Sequence, residues 1–339
     1  MHRFVSALSA LAALLFLALP AHAECKGANL IAALPPAERA ELDAAVAAQP
    51  HASGNFWQAT RRTAAGEERI WLIGTYHMDD PRHAATMAAV GPMLARARTL
   101  LVEAGPEEQA ALKAALAKDP ALMFVYDGPT LPERMAAAEW QAVTDAMRTR
   151  GVPPFLAAKF QPWYLSMLLG MPACAMDKMK AANGLDAQLI AQAAVQGLPV
   201  RALEPYDTVF SLFGSLTADQ QLGMIRSALA MESQGADYAV TLADAYFAGE
   251  SRQIWEFLRL ASHKLPGATP AKAEAEFAMM EEAMMMARNR AWIPVIEAAA
   301  KDGPVLAAFG ALHLPGKEGV LALLERQGYV VEALPLPSH

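Results

Sequence analysis

The stretch WLIGTYHMDD (Trp71–Asp80) decides the fold that this sequence predicts. An apolar run ends there in Gly-Thr-Tyr-His, and two aspartates follow. A second apolar run, VLAAFGALHLPG (Val305–Gly316), contains the same Gly-x-x-His spacing. Continuous apolar runs are typical of strands that helices cover on both faces. The two motifs therefore predict an α/β fold in which each of two strands is followed by a histidine.

Three further runs resemble these two, and helical patterns that end in glycine lie between them. The predicted strands are RIWLIGT (Arg69–Thr75), TLLVEAG (Thr99–Gly105), LPVRALE (Leu198–Glu204), GPVLAAFG (Gly303–Gly310) and GYVVEAL (Gly328–Leu334). We expect a central, mostly parallel or mixed sheet covered by helices. Large helical insertions near 106–180 and 206–300 interrupt the alternation. We expect them to form a helical layer on one domain, residues 24–339, and a separate second domain is the alternative.

The first 23 residues, MHRFVSALSALAALLFLALPAHA, predict a secretory signal peptide that is cleaved after Ala23. An uncleaved membrane anchor is the alternative, but the apolar stretch is short for a bilayer span of about 20 residues. A lipoprotein is disfavoured because Glu24, rather than a small residue, precedes Cys25. The later sequence has no apolar run long enough to span a membrane. We therefore expect a periplasmic or secreted protein.

Charge and cysteine content restrict the partners and metal sites that can be expected. The chain has 28 Lys and Arg against 35 Asp and Glu, a net charge of −7, which disfavours nucleic acid and anionic lipid as partners. Its 2 cysteines, Cys25 and Cys174, can form one disulfide in an oxidising compartment, with two free thiols as the alternative. A four-cysteine zinc site is excluded by this count.

Polar side chains follow four of the predicted strands. These are His77, Glu103, Glu204 and His313. Ligands in open α/β sheets bind beyond the carboxyl ends of the strands, so the four side chains should converge. Imidazoles and carboxylates bind Zn, Mn or Fe, and Gly74 and Gly310 would let the chain turn there without a side chain. The alternatives are hydrogen-bonded structural histidines and glutamates in helix caps or ion pairs.

Arg288 lies in the helical pattern EFAMMEEAMMMARNRAWIPVIEAAA (Glu276–Ala300), whose methionines indicate an apolar face. A guanidinium there needs a carboxylate or a substrate anion as its partner. A surface ion pair with Glu281 or Glu282 is the alternative. The methionines themselves indicate core packing rather than a copper site, because consecutive positions point to different faces of a helix.

Taken together, these motifs resemble the TraB/GumN family, which is similar to the Tiki metalloproteases and to the broader group that includes erythromycin esterases and haem-binding ChaN proteins. The resemblance covers nearly the whole chain after residue 24. It rests on CKGANL, WLIGTYHMDDP, LVEAG, FQPWYLSMLL, GLDAQLIAQAAVQGLPVRALEP, ARNRAWIPVIEAA and VLAAFGALHLPGKEGVLALLERQGYVV.

This resemblance implies an α/β core with helical insertions and a site built from the two Gly-x-x-His motifs. The residues that match the family pattern are His77, Glu103, Glu204, Arg288, Asn289 and His313. One departure concerns the cleft near Glu204, since the family commonly continues with Thr and a Gln-containing stretch, whereas this chain has EPYDTVF.

The leading hypothesis is a metal-dependent hydrolase that cleaves a peptide or another amide or ester outside the cytoplasm. His77, Glu103 and His313 would bind a divalent metal ion such as Zn, Mn or Co, which activates a water. Glu204 would serve as general base or additional ligand, and Thr75 or Tyr76 could donate a hydrogen bond to the developing oxyanion. Arg288 and Asn289 complete the expected catalytic set.

Two other classes of function compete with this hypothesis. The first is an exported haem- or metal-binding protein that uses the same histidines without turnover. The second is a degenerate scaffold, which the presence of every expected ligand disfavours. No HExxH motif and no Gly-x-Ser-x-Gly motif occur, which disfavours a zincin-type protease and a serine hydrolase.

Overall fold

The computed structural model describes residues 25–265 and 267–336. The expected signal peptide and its cleavage point lie outside the described residues. Within them the fold is a mixed six-stranded sheet with helices on both faces, which confirms the predicted α/β class.

The sheet has the strand order β4-β3-β5-β2-β1-β6. Its strands are β1 (Phe56–Thr63), β2 (Gly66–Thr75), β3 (Thr99–Val102), β4 (Val200–Ala202), β5 (Val305–Gly310) and β6 (Val330–Ala333). Strands β2 to β5 are mutually parallel where they pair, whereas β1 runs antiparallel to both β2 and β6. The carboxyl ends of β2, β3, β4 and β5 therefore share one edge of the sheet.

Strand β1 was not among the strands predicted from the sequence. It forms a hairpin with β2 in which Phe56 pairs with Ile73 and Thr63 pairs with Gly66. Gly66 has a φ of 132°, a conformation that favours glycine and that closes the tight turn. The outer half of β1 is polar, so it lacks the continuous apolar run of the other strands.

Helices connect and cover the strands. They are α1 (Pro36–Ala47), α2 (His83–Leu94), α3 (Pro106–Lys118), α4 (Leu131–Arg134), α5 (Ala137–Thr149), α6 (Pro154–Ala157), α7 (Pro162–Gly170), α8 (Met176–Ala181), α9 (Leu185–Gln196), α10 (Thr208–Gly214), α11 (Ala218–Met231), α12 (Gly235–Phe247), α13 (Ser251–Ser262), α14 (Pro270–Glu281), α15 (Ala287–Lys301) and α16 (Val320–Arg326). Among the described residues, no helix has the length and apolar character needed to span a bilayer.

Alternate residues of β2 belong to two different apolar clusters. Leu72 packs with α15 and α16 on one face of the sheet, and Ile73 packs with α2 and α9 on the other. All of these β2 side chains are buried. Strand β2 is therefore covered on both faces. The chain that leaves its carboxyl end emerges at the edge of the sheet where β3, β4 and β5 also end.

A disulfide joins Cys25 to Cys174, which confirms the bonded alternative. It links the first described residue to a short 3-10 turn, Ala173–Ala175, between α7 and α8. The segment after Cys25 also bonds to α12, since the Ala28 amide donates to Asp237 and the Leu30 amide donates to Thr241. The N-terminal segment is thereby fixed to the second helical insertion.

Between α14 and α15 the helix widens into a π-helical turn, Glu282–Met286. Such turns contain one residue more than an α-helical turn and are frequent at functional sites. This turn directly precedes Arg288 and Asn289, and it shifts the helical register at which α15 presents these two residues.

Candidate active site

The structure brings together the polar side chains that follow the parallel strands. His77 follows β2, Glu103 follows β3, and Glu204 follows β4. His313 ends a 3-10 turn, Ala311–His313, that follows β5 directly. These residues are distant in sequence, but Glu103, Glu204 and His313 meet around Arg288, which α15 supplies from the adjoining face. His77 lies beside Gly310, near Glu103 and His313.

The Arg288 guanidinium links the two glutamates. Its Nη2 donates to Glu103 Oε2 and to Glu204 Oε1, each at 2.6 Å, and its Nε donates to Glu204 Oε2 at 2.8 Å. Trp292 Nε1 also donates to Glu204 Oε2 at 3.0 Å. The side chains of Arg288, Glu103 and Glu204 are only 15%, 21% and 16% exposed. Arg288 is thus a partly buried cation shared by two carboxylates, and the surface ion pair considered above is not formed.

His313 is buried and held by Asn289. The ring nitrogen Nδ1 lies 2.6 Å from Asn289 Oδ1, and Asn289 Nδ2 donates to the Glu318 carbonyl at 2.8 Å. Because the amide oxygen can only accept, His313 donates through Nδ1–H and keeps a lone pair on Nε2. That Nε2 lies 3.3 Å from Arg288 Nη1. Burial, with the charges of Arg288 and His77, lowers the pKa of His313 to about 3, so its imidazole is neutral at physiological pH.

His77 is held in a comparable way by Asp186, which lies in the first turn of α9. The His77 Nδ1 to Asp186 Oδ1 distance is 3.0 Å, and the His77 side chain is 56% exposed. Partial removal of water from the ring lowers its pKa, but the hydrogen bond and charge of Asp186, with the charge of Glu103, outweigh this and raise the pKa to about 9.

Glu103 remains ionised between these groups. Burial disfavours its charge, but the charges of His313, His77 and Arg288 and the hydrogen bond from the Gly310 amide lower its pKa to about 2. Because His313 is neutral at physiological pH, His77 and Arg288 carry the electrostatic part of this effect there. The Gly310 N–H donates to Glu103 Oε1 at 2.6 Å.

Gly310 leaves a space at the centre of the site. A Cβ atom at this position would lie 3.2 Å from Glu103 Oε1, 3.5 Å from His77 Nε2 and 3.7 Å from His313 Cδ2. The absence of a side chain at Gly310 thus leaves room beside one carboxylate oxygen of Glu103 and one ring atom of each imidazole.

Thr75 and Tyr76, the two expected oxyanion donors, lie at the end of β2. Thr75 is 3% exposed, and its Oγ1 is a buried hydroxyl without a hydrogen-bond partner among the residues that the structure describes. Tyr76 stacks on Tyr246 with 5.3 Å between ring centroids, and burial raises its pKa to about 12. Thr75 therefore retains an unused donor, whereas the ring of Tyr76 is part of an aromatic cluster.

The side chains around Gly310 are of the chemical types that bind divalent metal ions. Two imidazole nitrogens and a carboxylate oxygen are ligands that Zn, Mn and Co accept. Among the described residues, no group of three or more His, Cys, Asp or Glu side chains is close enough to hold an ion as it stands. Binding through His313 would also require Nε2 to exchange its contact with Arg288 for the metal.

Sequence reasoning missed two contributors to the site. Asp186 lies in GLDAQL and bonds to His77, 109 residues earlier, and Trp292 bonds to Glu204 from α15. Asp186 carried a usable signal, because α9 leads directly into β4, and a helix that runs into the start of a parallel strand begins near the edge where such strands end. The sequence contained no comparable signal for Trp292, since an aromatic residue on a helix is usually part of the core.

The fold and this site define an α/β protein with a paired-histidine, paired-glutamate centre. The sequence matches the TraB/PrgY/gumN family over residues 55–333, and the chain belongs to this family. No curated protein matches the chain. The family membership confirms the resemblance drawn from the motifs.

Proposed function

We propose that this protein is an exported, metal-dependent hydrolase that cleaves a peptide or another amide or ester bond. The observation that carries the proposal is the matched orientation of the two histidines. His77 and His313 both direct Nδ1 to an oxygen, of Asp186 and of Asn289, and their other ring atoms lie around Gly310. Metal-binding histidines characteristically use one ring nitrogen for the ion and the other for such a partner.

In this proposal His77, Glu103 and His313 are the metal ligands. Glu103 is suited to this role because it stays ionised and the Gly310 amide fixes Oε1 beside the open space. Asn289 keeps His313 in the tautomer that leaves Nε2 without a proton. A divalent ion bound there would supply an acidified water and polarise the scissile carbonyl.

The remaining groups would accept a proton and stabilise developing charge. Glu204 is the general base or an additional ligand, and its orientation is set by Arg288 and Trp292. A carboxylate has about four lone-pair sites, so Glu204 Oε1, which accepts one hydrogen bond from Arg288, retains a site for a proton. No group in the described part of the chain accepts a hydrogen bond from Thr75 Oγ1, which supports a role as donor to the oxyanion.

The test combines metal analysis with an assay of peptide cleavage. Protein purified without chelators is analysed for bound metal, reloaded separately with Zn, Mn and Co, and incubated with a peptide library. We expect about one equivalent of metal and cleavage that a chelator abolishes. His77→Ala and His313→Ala should lose both the metal and the cleavage.

His263→Ala is the matched control, because His263 bonds to Glu274 in an ion-pair network on α13 and α14. This variant should bind metal and cleave like the unchanged protein. Cleavage that survives complete metal removal would refute the proposal. Stoichiometric metal or haem without any cleavage would instead support the alternative function, a carrier without turnover.

Export is the second part of the proposal. It rests on the apolar N-terminal segment with small residues at Ala21 and Ala23 and on the disulfide that involves Cys25. Mass spectrometry of protein from the extracytoplasmic fraction should give Glu24 as the first residue. Exported protein that retains Met1 to Ala23 would contradict cleavage at this site.

A further inference from the structure

The start of α9 is hydrogen-bonded to the loop that carries His77. The Leu185 amide donates to the Tyr76 carbonyl at 3.0 Å, and Asn183 Nδ2 donates to Asp79 Oδ1 at 2.8 Å. Between these two bonds Gly184 lies directly against the His77 backbone, where a Cβ atom would be 2.3 Å from the His77 carbonyl oxygen.

Asp186, in the same segment, bonds to the imidazole ring of His77 itself. Its Oδ1 lies 3.0 Å from His77 Nδ1, while the Tyr76 carbonyl before His77 and the Asp79 side chain after it are held by the contacts just described. Backbone and ring are thus positioned by one short segment, Asn183 to Asp186. The His77 side chain is 56% exposed, so packing alone does not determine how its ring is turned.

We propose that Asp186 is the positioning residue of the site: when the His77 ring is neutral, Asp186 holds its proton on Nδ1 and so directs the Nε2 lone pair at the space beside Gly310. A carboxylate can only accept a hydrogen bond, which selects the Nδ1–H form of the neutral ring. Nε2 lies 3.5 Å from the place of a Cβ at Gly310, and Glu103 Oε1 lies 3.2 Å from the same place. The significance of this orientation for metal binding rests on the proposed function, but the tautomer itself does not.

The competing explanation is that Asp186 only stabilises α9. It lies in the first turn of that helix, where an acidic side chain interacts favourably with the helix dipole. In that case its replacement would lower stability and leave the His77 tautomer unchanged. The two explanations therefore differ in a spectroscopic property of His77.

Asp186→Leu separates them, because leucine has a similar size but offers the ring no hydrogen-bond acceptor. Without an acceptor nothing holds the proton of the neutral ring on Nδ1. Asp186→Glu keeps an acceptor-only group. Asp177→Leu is the matched control, since Asp177 is an exposed carboxylate on the neighbouring helix α8 that pairs with Lys180.

The first measurement is the tautomer of His77 in metal-free protein with ¹⁵N-labelled histidine, at an alkaline pH where the ring is neutral. The His77 signals are assigned by their loss in His77→Ala. We expect the Nδ1–H form in the unchanged protein, in Asp186→Glu and in Asp177→Leu, and a shift toward the Nε2–H form in Asp186→Leu. An unchanged ratio in folded Asp186→Leu, or an Nε2–H ring in the unchanged protein, would overturn the proposal.

The second measurement is Co²⁺ affinity, read from its visible absorption. Loss of a group that orients a metal-binding histidine typically weakens binding by about 10–100-fold, and we expect this loss in Asp186→Leu but not in Asp177→Leu. Equal affinity of both variants would overturn the orienting role. If the unchanged protein binds no metal, the proposed function fails, while the tautomer measurement still decides the role of Asp186.

Discussion

Arg288 determines the charge balance of the candidate site at the scale of single residues. It is the cation that contacts both Glu103 and Glu204, and all three side chains are mostly buried. Removing one partner of such a group leaves uncompensated charge in a poorly solvated place. We expect Arg288→Met to lower the free energy of unfolding by about 3 kcal/mol, measured by urea denaturation at neutral pH.

A matched double variant tests the cause of this loss. Glu204→Gln removes one of the two charges that Arg288→Met leaves behind, so it should recover part of the lost stability in the double variant. Arg290→Met is the control, because Arg290 lies on the same helix but pairs on the surface with Glu282 and Glu318. A loss of the same size in Arg290→Met would show that charge compensation at the site is not responsible.

Glu68 provides a pH-dependent prediction away from the site. It is 9% exposed and accepts hydrogen bonds from Tyr329 at 2.7 Å and from Arg61 at 2.8 Å. Burial raises the pKa of Glu68, but these bonds outweigh burial and hold the pKa below its usual value. The ionised form is thus favoured by folding, so this stabilisation exists above the unfolded pKa, about 4.3, and is lost as the pH falls through the folded pKa.

Glu68→Gln should therefore cost about 1–3 kcal/mol at neutral pH and less in acid, which flattens the dependence of stability on pH below about 5. Denaturant unfolding across this range measures the effect. Glu67→Gln is the neighbouring control, since the Glu67 side chain is 41% exposed and pairs with Arg69. Parallel pH profiles for Glu68→Gln and the unchanged protein would contradict the assignment.

At the scale of elements, the junction between α9 and the His77 loop depends on Gly184. Its φ of −64° suits any residue, so only space restricts this position. A methyl group would meet the His77 backbone at 2.3–2.6 Å. Because backbone atoms must move to relieve this contact, Gly184→Ala should cost about 1–3 kcal/mol and displace His77.

The control for this change is Gly223→Ala in α11, where a Cβ atom would meet no atom of the described residues within 4 Å. It should be neutral or stabilise the protein by about 0.5–1 kcal/mol, since alanine favours the helix more than glycine. Thermal unfolding of both variants gives the comparison. Equal melting temperatures would indicate that the loop adapts to the added methyl group.

At the scale of the whole molecule, the disulfide connects residues 149 positions apart. A cross-link over so long a segment restricts the unfolded chain strongly, and loss of a native disulfide typically costs about 2–5 kcal/mol. We expect this loss in the Cys25→Ser, Cys174→Ser double variant, measured by denaturant unfolding. Reduction of the unchanged protein should give the same decrease, and stability unaffected by reductant would contradict it.

The strands that consist of a continuous apolar run could be predicted from the sequence alone. Continuous apolar runs identified β2 and β5, and the histidines after them could be placed because parallel strands end at one edge. Strand β1 was missed because its outer half is polar and its pairing depends on a neighbouring hairpin strand. The partner of Arg288 was left open, since the shared contact with Glu103 and Glu204 depends on how α15 is rotated over the sheet.

The π-helical turn Glu282–Met286 acts as a phase shift between α14 and α15. Each residue advances an α-helix by about 100°, so one additional residue places the faces of the two segments out of step by that angle. An apolar stripe that follows one face of α14 would therefore not continue along the same face of α15. By the same geometry, deletion of one residue here would rotate Arg288 and Asn289 away from Glu204 and His313 without changing any side chain of the site. The length of this turn, as much as the identity of its neighbours, sets where the guanidinium lies.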